Sequence, residues 1–186
     1  MSGKTLLIFD WDDTLFPSSW LQANHTPISD TTRVILEKIS ASVNTLLTEA
    51  QKHGTVIIVT NGESGWVELS CNQYMPQCVS LLRGIRILSA RSIYEWLYAD
   101  SPTMWKLLVF QMISVEFQHI ISIGDSDAER YALQQLDKRL KKSVKLENTP
   151  TLETFVHQLD ILPSILQIIV PYHKNLDIAC DVLSLE

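Results

Sequence analysis

The sequence predicts an α/β fold, a three-layer doubly wound parallel sheet, and three observations carry that reading. Helical and extended patterns alternate along the whole chain of 186 residues. Three extended runs, Leu6-Leu7-Ile8-Phe9, Val56-Ile57-Ile58-Val59 and Ile120-Ile121-Ser122-Ile123, are almost continuously apolar, as strands covered on both faces must be. Each run then ends in acids or hydroxyls: Asp10-Trp11-Asp12-Asp13-Thr14, Thr60-Asn61-Gly62 and Gly124-Asp125-Ser126-Asp127. In an open parallel sheet the ligand site lies beyond the carboxyl ends of the strands, so the pattern that defines the fold class also marks a site.

After the first strand comes a loop with Pro17 and Pro27, and Ser29 or Asp30 then reads as the N-cap of a helix. Its apolar stripe is Ile35, Ile39, Val43, Leu46 and Ala50, and Gly54 ends it. The second strand, from Thr55 to Thr60, leads to a helix through Trp66, Val67 and Leu69 that breaks at Pro76. A third strand, Ile85 to Leu88, passes through Ser89-Ala90-Arg91 into another helical stretch. Ser101 and Pro102 read as the N-cap and first position of a helix through Lys106 to about Ser114, apolar nearly all round and therefore buried. The fourth strand precedes Gly124, a helix follows through Tyr131, Leu133 and Leu136, and Val144-Lys145-Leu146 forms a short fifth strand. A last helix from about Thr151 to Val170 carries Leu152, Phe155, Leu159, Leu162, Leu166 and Ile169 on one stripe, with Pro163 expected to split or kink it. The tail from Pro171 to Glu186 has no legible pattern and is expected to be an arm along the core or an interface element.

The third and fifth runs, Ile85-Arg86-Ile87 and Val144-Lys145-Leu146, alternate in character and so suit sheet edges. That gives five strands in the order 3-2-1-4-5, with the reversal, and hence the ligand crevice, between Asp10 and Asp125. A length of 186 residues, 46% hydrophobic and 19% charged, suits one domain, a core of about residues 4–150 followed by a helix and tail over 151–186. The net charge of -6 supplies no basic field for nucleic acid. Cys71, Cys78 and Cys180 form neither a disulfide framework nor a zinc spacing, which points to buried thiols and a reducing, cytoplasmic-type compartment. The first apolar run meets acids after four residues and is neither a signal core nor a membrane span.

If Asp10, Asp12 and Asp125 converge, their mutual repulsion, about 4 kcal/mol for a pair about 4 Å apart, calls for a cation or shared protons. An all-oxygen ligand set suits a hard ion, Mg2+ before others. One acid is then free to be a nucleophile and a second to act as general acid and base. Thr60 and the backbone N–H groups near Trp11 and Asn61 are candidate donors to phosphoryl oxygens, and Lys106, near the start of its helix, completes the charge balance. This set suits phosphoryl transfer through an aspartyl phosphate.

In order and spacing, Asp10-Trp11-Asp12-Asp13-Thr14, Thr60-Asn61, Lys106 and Gly124-Asp125-Ser126-Asp127-Ala128-Glu129 resemble the four motifs of the haloacid dehalogenase (HAD) superfamily, over residues 5 to about 148. The resemblance implies Asp10 as nucleophile, Asp12 as acid and base, and Thr60 and Lys106 as phosphate binders. It implies Asp10 and Asp125 as side-chain metal ligands, with the Asp12 backbone carbonyl beside them. Glu129 or Asp127 would support the metal. An acid at Asp12 implies phosphatase rather than dehalogenase chemistry. Neither interval between motifs has room for a large cap domain. Capless members act on phosphoproteins or other large substrates, or on small ones when a neighbouring subunit closes the site, and Phe16, Trp20 and His25 are candidates to touch substrate.

Plainer readings stand beside these. Asp13 reads as an exposed turn acid, and Trp66, Trp96 and Trp105 as core or groove aromatics. No histidine pair has ligand spacing. Two other functions use the same fold: a receiver-like phospho-acceptor domain, whose accepting Asp follows a middle strand where this chain has Thr60, and a catalytically silent binding module.

Overall fold

A computed structural model describes residues 4–24, 29–138 and 140–179. β1 (Thr5–Phe9) is followed by α1 (Ser18–Ala23) and α2 (Asp30–His53), and β2 (Thr55–Thr60) by α3 (Trp66–Tyr74), a 3-10 turn (Pro76–Cys78) and α4 (Val79–Leu82). Next come β3 (Arg86–Ser89), α5 (Ala90–Tyr94), α6 (Pro102–Ile113), β4 (His119–Gly124) and α7 (Asp127–Gln134). β5 (Leu140–Lys145), α8 (Leu152–Ile169) and β6 (Leu176–Ala179) complete the described chain. Caps start several of these helices: Ser29 accepts from Thr32 N, and Thr151 from Thr154 N.

The sheet is wholly parallel, in the order β3-β2-β1-β4-β5-β6. The side chains of β1 alternate between two apolar layers. Leu7 and Phe9 join a core with α2, α3 and α8, while Leu6 and Ile8 join one with α6 and α7. Helices thus cover both faces, which is why the central strands are apolar throughout. Phe9 lies level with Ile58 and Ile123, and Asp10 N donates to Ile123 O at 3.0 Å, so the acids after β1 and β4 emerge side by side at the reversal of strand order.

The expected order 3-2-1-4-5 is present, but the sheet has six strands and β5 is not an edge. The alternation of Val144-Lys145-Leu146 has another cause: Lys145 is half-buried and donates to the carbonyls of Asp125 (2.5 Å) and Leu146 (3.2 Å). Lys142, earlier in β5, is buried and donates to the carbonyls of Ile169 (2.6 Å) and Val170 (2.9 Å) at the end of α8. A lysine that bonds backbone carbonyls within the fold reads, in sequence, like an exposed edge lysine. β6 comes from the tail beyond residue 170: Leu176–Ala179 lies along the core as an arm would and joins the sheet beside β5. The ion pair of Arg130 with Asp177 at 2.7 Å and the bond from Lys141 N to Asn175 Oδ1 at 2.9 Å hold it in register.

Pro163 neither splits nor ends the last helix, since α8 is one element with Leu159, Leu162 and Leu166 buried on either side of the proline. Their burial against α2 outweighs the lost backbone hydrogen bond. The helical stretch after Arg91 is only five residues, Ala90 to Tyr94. Cys71 and Cys78 are buried free thiols, and Cys180 lies outside the described residues. Among the described residues, no helix is long and apolar enough to cross a membrane.

Candidate active site

The loop after β1 is wound tightly around one carbonyl: Trp11 O accepts from the backbone N–H groups of Thr14, Leu15 and Phe16. The Trp11 ring is fully buried, stacks on Phe16 at 5.8 Å and donates its indole N–H to Ser70 Oγ at 2.9 Å. That anchorage fixes the two residues flanking it. Asp10 points into a buried cluster and Asp12 into an open cavity of about 990 Å³.

In the cluster, Asp10 Oδ1 accepts from Trp11 N and from Lys106 Nζ, both at 2.8 Å. Lys106, on the second turn of α6, also pairs with Glu129 Oε1. The other oxygen of Glu129 takes the N–H and hydroxyl of Ser126, closing a capping box at the start of α7. Asp125 completes the group, with Thr14 Oγ1 at 3.4 Å from it. Asp10, Asp125 and Glu129 each present an oxygen within 4.8 Å of the others.

Glu129 is therefore the acid that the turn from β4 into α7 brings to the cluster, while Asp127, at the first position of α7, is exposed. A carbon on Gly124 would stand 2.8 Å from Glu129 Cγ, so the strand end must be glycine for the carboxylate to tuck beneath it.

Asp12 is half-buried and held on both oxygens, Oδ1 by the indole N–H of Trp66 at 2.8 Å and Oδ2 by the Thr60 hydroxyl at 3.0 Å. Thr60 in turn accepts from Gly62 N at 2.8 Å. Gly62 also makes room for the Trp66 ring, since a carbon there would lie 2.4 Å from Trp66 Cδ1. Trp66 packs against the core and lines the cavity, as expected of a core or groove aromatic, and in addition donates to Asp12. Sequence reasoning missed that bond because an indole N–H finds its acceptor only once α3 is packed.

Other expectations shift as well. Asp13 is a buried turn acid, not an exposed one, with φ 52°, and accepts from Ser19 N at 3.0 Å and from the Ser19 hydroxyl, tying the loop to α1. The Trp11 N–H is engaged by the Asp10 carboxylate. Asn61 lines the cavity, and its buried Oδ1 has no hydrogen-bond partner among the described residues. Phe16 lines the cavity from beneath at 1% exposure, and Trp20 packs on the core. His25 lies outside the described residues. Trp105 is buried, but Trp96 is 80% exposed.

Three buried carboxylates face one buried ammonium. At an effective dielectric near 20, each carboxylate pair repels by about 3.5 kcal/mol at that spacing. Burial raises Asp10 well above the ordinary carboxylate range, Lys106 opposes this, and Glu129 and Asp125 add to it. Asp125 is pushed up to about 6 by burial and then by Glu129. Burial would raise Glu129 too, but the Lys106 ammonium and the Ser126 hydrogen bond hold it below its ordinary value. Burial also opposes the charge on Lys106, and Asp10 and Glu129 outweigh it, keeping the ammonium above the ordinary lysine range. A hard divalent cation fits this all-oxygen cluster and would relieve its excess negative charge.

No family model, no curated protein and no solved structure matches the chain.

Proposed function

We propose that the chain is a HAD-type, Mg2+-dependent phosphomonoesterase that works through a phosphate ester on Asp10. The observation that carries this reading is the division of labour between Asp10 and Asp12. One carboxylate is gripped by Lys106 within a metal-fitting cluster, and its neighbour but one is held at the cavity by Trp66 and Thr60.

Asp10 and Asp125 would hold the Mg2+, with Glu129 behind them because both its oxygens are already engaged by Lys106 and Ser126. A bound Mg2+ would neutralise charge on the phosphoryl oxygens and screen Asp10 from the incoming anion.

Oδ1 of Asp10 is pinned by Trp11 N–H and Lys106, which leaves Oδ2 to attack phosphorus. As the Oδ2–P bond forms, the ester P–O bond breaks, and Asp12 gives its proton to the departing oxygen. Asp12, now a carboxylate, takes a proton from a water that attacks the same phosphorus. The Asp10–P bond breaks, inorganic phosphate leaves, and both acids return to their starting states. Lys106 offsets charge on the phosphoryl oxygens throughout, and Asn61 lines the space they would occupy. Among the described residues no domain covers the cavity, which opens to solvent and so suits a phosphoprotein or other large substrate.

The test is phosphate release from phenyl phosphate with Mg2+ and with chelator, beside Asp10→Asn. Turnover that needs Mg2+ and falls at least about 1,000-fold in the variant is expected. Turnover retained by Asp10→Asn sinks the mechanism.

A further inference from the structure

We propose that the phosphate ester cleaved here carries an aryl group without further negative charge on its leaving oxygen. This rests on the phosphatase reading above and names its substrate class.

The argument starts from Asp12. A general acid must touch the oxygen that leaves, and Asp12 is held by the Trp66 indole, so the leaving group has to depart alongside Trp66. Trp66 does not stand alone there. Phe16 packs edge-on to it at 6.0 Å and against Tyr74 at 5.6 Å, and Leu69, one turn further along α3, carries the apolar surface outward. All four line the same cavity as Asp10 and Asp12. Leu69 is 61% exposed, an apolar side chain at the rim of a polar site. A flat aromatic ring covers such a wall with little loss of conformational freedom.

Charge narrows the class further. Among the described residues, Lys106 is the only cation that lines the cavity, and it is committed to Asp10 and Glu129. Asp13 and the exposed Glu63 add carboxylates away from the centre. A second phosphate or a carboxylate on the leaving group would meet no free cation and several anions, so polyphosphates and phosphorylated polyanions are poor substrates.

Phenyl esters also leave more readily than alkyl esters, so the wall is best tested by binding without chemistry. With Mg2+ present, Kd is measured by calorimetry for phenylphosphonate, methylphosphonate and 4-carboxyphenylphosphonate, on the wild type and on Leu69→Ser. Phenylphosphonate should bind about tenfold tighter than methylphosphonate, the added carboxylate should cancel most of that gain, and Leu69→Ser should narrow the difference at least about threefold. Equal affinity for phenyl- and methylphosphonate overturns the proposal while leaving the phosphatase reading standing. Binding of neither phosphonate overturns both. A free aryl phosphate and a tyrosine-borne phosphate in a peptide share this chemistry. Their kcat/KM values identify which source the site takes, and preference for a nucleotide or an alkyl phosphate over both counts against the class.

Discussion

At the residue scale the site depends on how two aspartates separated by one tryptophan come to differ. Trp11 is locked by Ser70 and Phe16, so its neighbours project in fixed directions, one toward Lys106 and one toward Trp66. Trp66→Phe keeps an aromatic ring in the wall and removes the donor to Asp12. We expect kcat for phenyl phosphate to fall about tenfold with KM changed less than twofold, in line with the loss of one hydrogen bond of about 1–1.5 kcal/mol. Steady-state kinetics on the purified variant decide it, and an equal rise in KM would assign Trp66 to substrate binding alone. The sequence singled out Asp10, Asp12, Thr60, Lys106 and Asp125, which the structure brings together. The four other than Lys106 stand at or just beyond strand ends, a local property, while Lys106, within α6, was picked out by the order of the motifs. The bond from Trp66 and the buried state of Asp13 were not legible, since each depends on a partner the chain meets only when folded: Asp12, lying 54 positions away, for the first, and the loop's own packing against α1 for the second.

At the scale of elements, the turn from β4 into α7 serves both structure and site. Ser126 and Glu129 close the capping box that starts α7, and the same Glu129 holds Lys106. Gly124 leaves the space in which that carboxylate sits. Glu129 cannot swing aside without breaking its bonds to Lys106 and Ser126, so Gly124→Ala should lower stability by about 1–2 kcal/mol. It should also weaken Mg2+ binding, measurable as a shifted denaturant midpoint and a raised calorimetric Kd. An unchanged Kd would separate Glu129 from the metal site. The sequence could not choose between Asp127 and Glu129, because both follow the cap. The helical turn decides it: the first position of α7 faces out and the third faces in.

At the scale of the whole molecule, the buried acids couple global stability to pH. Asp125 is held near pH 6, above its ordinary 3.8, so the folded state binds more protons than the unfolded chain between those values, and stability falls as pH rises through that window. Asp10 acts in the same direction. Glu129, held below its ordinary 4.5, contributes stability that is lost only as the solution becomes more acid than that. In chelator, the Tm should therefore decline between about pH 4.5 and pH 6, and millimolar Mg2+ should restore it most at the upper end. Thermal melts at the two pH values test this, and a Tm that rises toward pH 6 in chelator would contradict the reading of the cluster.

The sequence by itself determined the α/β class, the parallel order from β3 to β5, and the acids at the strand ends, because double-faced burial and strand termination are written in consecutive residues. Tertiary structure alone decided the sixth strand, the intact α8 and the partners of the site acids. The Leu176–Ala179 stretch is short and only half-buried, and it becomes a strand because β5 offers it a free edge and Arg130 an ion pair. The charge on Lys145 reads as that of an edge strand until the carbonyl of Asp125 comes alongside it. In each case the deciding partner lies far away in the chain, and its contribution exists only once the layers have packed.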